Sequence, residues 1–530
     1  MKTKRNLIQI CLLGAVLLAL PAVVQAQFNF TTNNGTITIT GYTGSGGAVT
    51  IPDTINDLPV TSIGEEAFYQ SFSLTSVTTG TNVTSIGENA FFQCPNLSSV
   101  TIPGNVTNIG AGPFIDCQSL TVISLSAPNL HYSVTNELLF NKTQTSLIEY
   151  PGGIGGSYTL PAAVTNVGEA FIGNTLTAIS VDAANLYYSS TNGVLFNKNK
   201  TTLVEYPGGA GGSYTVPRTV TTIASASFEF SISVASVTIG TPVTSIGEYA
   251  FYDSASLTAI SVDATNLNYS STNGVLFNKN QTALIQYPSG LSGSYIVPGT
   301  VTNIGNGAFG DAFGLTNAVI PDSVTSVGIE AFYSCESLTN VTIGDSVTSI
   351  GENTFYDCIS LTGVTIPNSV TNIAEYAFLS CESVASVTIG SGVASIGEEA
   401  FAGCESLTNA CFEGNEPSDG GSIFYYDYAL STISYVNGAA GWGATYDGIP
   451  TAPCAECSVS APQLAITLSG ANVILTWSAN FTGFTLQSTT NLVSTAVWTT
   501  VSPAPVIVNG NNTVTNSIPG TQRIYRLVSP

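Results

Sequence analysis

Four cysteines stand at a constant interval of 23 residues: Cys335, Cys358, Cys381 and Cys404. Evenly spaced thiols can build a disulfide framework or a metal site, and an acidic Ile-Gly-Glu that could supply carboxylates travels with them. A catalytic carboxylate pair, however, needs a cleft and two different environments. Glu65, Glu88, Glu169, Glu248, Glu352 and Glu398 all follow a motif glycine in the same setting. That place reads as the start of a short helical turn, where an acid suits the local dipole. His131 is the single histidine, which rules against a hydrolase triad or a histidine metal site. Cys454 and Cys457 form CAEC, but no βαβ unit or second half of a zinc site accompanies them. In an oxidising compartment they are expected to pair with each other or with Cys411. The GGxGGSY segments lack the Lys-Ser/Thr of a phosphate loop, and no calcium loop occurs. No catalytic residue, cofactor or metal ligand is therefore expected.

The element that positions all these residues is a repeat. VTxIG, with small variations, begins at Val60, Val83, Val106, Val164, Val220, Val243, Val301, Val324, Val347, Val370 and Val393. Most steps are 23 residues, and three longer ones hold inserts of about 35 residues. Counting from the valine, apolar residues fall at positions 1, 4, 8, 9, 15, 18 and 20. LSSVTI alternates as a half-buried strand, VTSIG is a second short extended piece, and ENAFF reads as a brief helical turn. Phe stands at position 9 in ten units, from Phe68 to Phe401, and at position 8 in the unit of Val164, where Phe171 comes one residue sooner, which predicts an interior column of rings. The cysteines occupy position 12, where Cys94 and Cys117 also stand and where Ser71, Ser231, Ser254 and Ala312 fill other units. Smallness is the shared property. Parallel side chains on coils about 5 Å apart keep their Cβ atoms too distant for a disulfide, so buried free thiols are expected.

LTxVTIPxxVTSIGExAFxxCxS resembles the BspA-type leucine-rich repeat of bacterial surface and secreted proteins, over about residues 50–410. The resemblance implies a β-rich, leucine-rich-repeat-like, right-handed solenoid of 23-residue units that serves adhesion and protein recognition and is not an enzyme.

The organisation expected around that solenoid is as follows. Residues 1–26 have the charged, apolar and small-residue order of a secretory signal peptide. Residues 27–59 form a hairpin cap around Asn33-Asn34-Gly35, and the solenoid fills 60–413. A C-terminal cap at 414–452 drops the repeat, and a linker occupies 453–460. A small all-β, sandwich-like module, loosely similar to fibronectin type III, occupies 461–530. The inserts, at about 123–161, 179–217 and 260–298, resemble one another and read as β-hairpins projecting from the stack.

Most of the lysines lie on those hairpins beside tyrosines. The candidate partner-binding residues are Tyr187, Tyr188, Tyr206, Tyr214, Lys198, Lys200, Tyr269, Tyr287 and Lys279. A competing reading has the rings covering the hairpin against the solenoid wall. The chain has 33 acidic and 10 basic residues, and loss of the leader takes its formal charge from −23 to about −26. Nucleic acid and anionic membranes are thereby disfavoured as partners. Only 8% of residues are charged, so the exterior must be largely neutral and polar. Outward Ser/Thr ladders could match ice, but Asn317, Val319, Asn340 and Gly363 break them. The expectation is an exported protein, released or held non-covalently at a surface, that binds a protein or glycan. A polysaccharide-binding or -degrading accessory protein and a structural envelope component are the alternatives.

Overall fold

The structure, a computed structural model, describes residues 27–454 and seven segments beyond them: 464–469, 472–478, 485–489, 498–502, 504–508, 511–517 and 523–528. The expected signal peptide, the greater part of the linker and Cys457 lie outside the described residues. The chain divides into two compact units, residues 1–256 and 257–530. Each contains a β-solenoid built on the 23-residue spacing, and no helix occurs among the described residues.

In the first unit, Phe28–Asn33 and Thr36–Tyr42 pair antiparallel, with Asn33 opposite Thr36. The turn between them needs left-handed backbone, which Asn34 and Gly35 supply (φ 50° and 79°). Thr36–Tyr42 then pairs in parallel with Leu58–Ile63, which starts a column of short strands continued by Ser85–Ile86 and Asn108–Ile109. On the opposite side of each coil, Leu74–Thr78, Ser99–Ile102 and Val122–Leu125 stack in parallel, with Val77, Val100 and Ile123 in register. A shift of one whole repeat puts like residue against like. Period-2 alternation therefore buries the same side chains in every coil.

The third side of the coil corrects the expected helical turn. Phe68 N donates to Ala90 O (2.8 Å), Glu66 N to Glu88 O (3.2 Å) and Gln70 N to Phe92 O (3.0 Å), so these bonds run between coils. Glu66 and Gln70 sit at φ 53° and 50°, and Asn89 and Gln93 one coil on at φ 50° and 53°. Between left-handed Glu66 and Gln70 every second N–H points along the stack, while Tyr69 N donates locally to Glu66 O (2.9 Å). A five-residue helix would leave most of its own N–H groups unpaired, and stacking satisfies them. The dipole argument for the recurring glutamates falls with the helix. Glu65, Glu88, Glu169, Glu248, Glu352 and Glu398 are simply exposed on this edge.

The rings form the expected column. In the first unit Tyr42, Phe68, Phe91 and Phe114 follow one another at 5.2, 4.7 and 5.3 Å. In the second, Tyr287, Phe309, Phe332, Phe355, Phe378, Phe401 and Phe424 lie 4.5–5.8 Å apart. Phe424 shows that residues 414–435 do not drop the repeat. They make a twelfth regular coil, with Ser418–Asp419 on the short-strand column and Leu430 and Ile433 in the core. Beyond it, Asp447 Oδ2 accepts the Phe424 N–H (2.8 Å), at the place where a further coil would offer a carbonyl.

The inserts also differ from a projecting hairpin. Tyr188–Thr191, Val194–Asn197 and Thr202–Glu205 form an antiparallel meander whose last strand pairs in parallel with Thr222–Ile223 of the short-strand column. Tyr206 N donates to Ser227 O (2.8 Å), and its ring stacks 4.9 Å from Phe228. Each insert is a coil of the stack in which three strands replace one and a tyrosine replaces the phenylalanine.

Residues 465–528 hold two antiparallel sheets, Ala465–Ser469/Asn472–Ser478/Asn511–Ser517/Val506–Val508 and Thr499–Thr500/Thr485–Thr489/Ile524–Val528. Val473, Leu475, Trp477, Leu486, Val501 and Val514 share one apolar cluster.

Candidate functional site

Position 12 faces the core in every regular coil. The Sγ atoms of Cys94, Cys117, Cys335, Cys358 and Cys381 donate to the carbonyls of Phe68, Phe91, Phe309, Phe332 and Phe355 at 3.1–3.2 Å. Cys404 does the same to Phe378 (3.5 Å), and the Ser254 hydroxyl does so to Phe228 (2.7 Å). All six thiols are free and buried. Burial pushes the Cys358, Cys381 and Cys404 thiols well up, away from the reactive thiolate. The six cysteines and Ser254 thus share a small hydrogen-bond donor, whereas Ala312 has none and the buried Ser231 hydroxyl has no partner. Cys411 is disulfide-bonded, and its Sγ lies 3.8 Å from the Sγ of the free Cys454. Among the described residues, no group of three or more His, Cys, Asp or Glu could hold a metal ion.

What faces solvent is built by the inserts. Each enters its first added strand through a corner of sequence Asn-Leu-x-Tyr: 129–132, 185–188 and 266–269. The asparagines are buried to 1% exposure or less. Asn185 Oδ1 accepts the Tyr187 and Tyr188 N–H groups (both 2.8 Å), and its Nδ2 donates to Pro161 O and Val164 O (both 2.9 Å). Asn129 binds the His131 and Tyr132 amides and Val106 O in the same way, and Asn266 binds the Asn268 and Tyr269 amides. A lysine closes each corner. Lys142, Lys198 and Lys279 donate their N–H to the carbonyls of His131, Tyr187 and Asn268 (2.6–2.7 Å). Their Nζ atoms reach Asn129 O, Asn185 O and Ala264 O. On this locked frame the leucines Leu130, Leu186 and Leu267 point outward, 83%, 76% and 81% exposed.

The expected binding residues divide between surface and core. Tyr187 and Lys198 meet at one corner and are exposed. Tyr188 and Tyr269 are half-buried, and the Tyr188 hydroxyl donates to Thr165 O (3.4 Å). Lys200 ends the hairpin turn in left-handed backbone (φ 58°), and Lys279 is half-buried. Tyr206 and Tyr287 cannot meet a partner, because at 4% and 2% exposure they belong to the ring column. Tyr214 packs on Tyr206 and Phe228 at 5.0 and 6.0 Å, and burial raises its hydroxyl pKa. These three rings pack within the stack itself.

Sequence reasoning missed the leucines, although the signal was present. NL.Y persists in all three inserts, while the residue after Leu changes from His131 to Tyr187 to Asn268. It also missed Tyr425, Tyr426 and Tyr428 on the twelfth coil, which are 50%, 52% and 87% exposed.

The family model for the BspA type leucine rich repeat region matches in six copies, over residues 47–158, 212–296 and 302–431. Among solved structures, the chain is similar to a leucine rich cell surface protein from Faecalibacterium prausnitzii A2-165. That match has 27% identity, covers 74% of this chain and 94% of that one, and has a TM-score of 0.37. It is also similar to a leucine-rich repeat protein from Bacteroides ovatus ATCC 8483, at 22% identity, 81% and 97% coverage and a TM-score of 0.31. The pneumococcal vaccine antigen PcpA matches at 16% identity, 78% and 92% coverage and a TM-score of 0.36. No curated protein matches the chain.

Proposed function

Because the chain belongs to the BspA-type leucine-rich repeat family, we propose that it is an exported, surface-associated recognition protein that adheres to a protein partner without catalysing a reaction. The observation that carries this reading is the corner that presents an outward leucine in each of three inserts. The turn itself needs only the asparagine. Any polar residue could follow it, and a leucine held more than three-quarters exposed leaves apolar surface in water. An aliphatic knob on a locked backbone suits an apolar socket on a protein. Glycan stacking would instead call for an exposed ring at a fixed place; the exposed residue after the leucine varies between copies, and the constant Tyr132, Tyr188 and Tyr269 are buried or half-buried.

The test is binding of the purified chain to arrays of extracellular proteins and of glycans, alongside a Leu130→Ser/Leu186→Ser/Leu267→Ser variant. Seating one leucine contributes about 1.5–3 kcal/mol, so each corner in contact should weaken binding roughly tenfold or more when changed. Full retention of protein binding by the triple variant would sink the reading, as would binding to glycans alone. Turnover of any polysaccharide would overturn its non-enzymatic part.

A further inference from the structure

The inserts lack the device that closes a regular coil. Their coils end in Glu-Tyr-Pro or Gln-Tyr-Pro, so the position-12 donor to a ring-column carbonyl has no counterpart. The residue before each tyrosine is buried instead: Glu149 at 3%, Glu205 at 6% and Gln286 at 4% exposure. Gln286 shows what that place requires. Its Nε2 donates to the carbonyl of the adjacent Tyr287 (3.1 Å), which the next coil cannot serve because Ala312 stands at its position 12; after the second insert Ser231 stands there, but its buried hydroxyl has no partner. An ionised carboxylate has no proton to donate. A neutral carboxylic acid reproduces both the donor and the acceptor of the glutamine amide.

We infer that Glu149 and Glu205 are packed into the first two inserts as neutral acids, and that their ionisation is a switch which loosens these coils while leaving the third insert unaffected. Glu149 ends the strand Leu147–Glu149, where it lies opposite Leu139. Glu205 ends Thr202–Glu205, opposite Leu195, with its Oε1 3.5 Å from Nδ2 of the buried Asn174. The titratable neighbours are the Cys117 thiol for Glu149 and Glu229 for Glu205. Asp116 and Glu169 stand on the coils that flank the first insert. None of these is a cation that would favour ionisation. Burial pushes both carboxyls well above the usual range, with Glu229 adding to the effect at Glu205. The sign follows directly. Above the ordinary glutamate pKa the opened coil releases a proton that the closed coil keeps, so opening is favoured as pH rises.

The experiment is hydrogen exchange on the full chain at several pH values, corrected for intrinsic rates, read at the amides of 147–150, 203–206 and 283–287. In the wild type, opening of the first two segments should grow about tenfold per pH unit for each proton released, while 283–287 stays flat. Glu149→Gln/Glu205→Gln should flatten the first two. Gln286→Glu should give the third a slope, which keeps the idea testable if the double variant fails to fold. Parallel pH profiles for all three segments in the wild type would overturn the switch. A Gln286→Glu chain with no added pH dependence would do the same. Neither result bears on the leucine corners, so this inference and the proposed function fail separately.

Discussion

Cys358 separates two explanations of position 12. Its Sγ lies 3.2 Å from Phe332 O in a fully buried site, and Ser254 makes the equivalent bond with oxygen at 2.7 Å. Cys358→Ser keeps the donor and should change local stability little. Cys358→Ala removes the donor and opens a void of one sulfur atom. Phe332 O retains the Cys335 amide at 3.4 Å, so it is not wholly orphaned, and the hydrogen-bond loss belongs near the low end, about 1 kcal/mol. A void the size of a methyl group adds about 1 kcal/mol. Together these give roughly 1–2 kcal/mol, which is a five- to thirty-fold rise in local opening. Native-state hydrogen exchange at the Phe355, Cys358 and Leu361 amides reads it, because stability in a stack is set by neighbouring coils and a single melting temperature would average the effect away. Equal protection in the Ala and Ser variants would refute the donor argument and restore small size as the whole requirement.

Two further outcomes follow from the core. Phe355 is fully buried between Phe332 and Phe378, at 5.1 and 5.0 Å, so Phe355→Ala should cost about 3–5 kcal/mol; urea unfolding followed by exchange should place the loss in the coils on either side. Asp427 fills position 12 of the twelfth coil, where burial holds its carboxyl at about 8 against the opposing Cys404 amide. The folded state thus keeps a proton that the unfolded chain releases near 3.8, and stability should fall as pH rises from about 4 to about 8. Asp427→Asn should flatten that part of the midpoint-versus-pH curve, and an unchanged curve would refute the assignment.

The repeat was legible because its signal is redundant. Ten phenylalanines at one position and an alternating strand beside them leave few ways to bury both. ENAFF resembles a helical turn in composition, and Phe92 N does donate within it to Asn89 O (2.9 Å), but the Asn89 and Phe91 N–H groups donate to a coil 22 residues further on, which no local window contains. The twelfth coil was overlooked for a related reason. Ser418–Asp419 stands where Ser-Ile stood one coil earlier, so the VTxIG phrase is gone while Phe424, Leu430 and Ile433 keep their places. At the candidate site, the tyrosines were picked by residue type. Type cannot distinguish Tyr187 at a corner from Tyr206 in the ring column. The distinction lies in Tyr206 occupying position 9 of a coil whose other landmarks have been replaced.

The inserts also explain how the corners of the first unit come to be presented. Where a regular coil runs through AFxxC, an insert has only Tyr-Pro-Gly-Gly, and the full coils on either side close over the gap. A Cβ on Gly173 would lie 2.6 Å from the Asp116 amide nitrogen, and one on Gly208 would lie 2.2 Å from Asn174 O. Glycine is required there by contact between backbones. The same closing-up gathers Ile115, Ile172 and Phe230 into one cluster with Phe92, whose ring is 5.9 Å from that of Phe230 across most of the unit's sequence. At the short-strand column the opposite happens, since each insert adds three strands where a regular coil adds one. Coils that nearly touch at one side and are spaced by extra strands at another must fan apart within this unit. The Asn-Leu-x-Tyr corners sit immediately before the first added strand, on the side that opens. The glycines that shorten one side and the asparagines that lock the other are thus two halves of a single device, which converts an unbroken repeat into a scaffold with outward points.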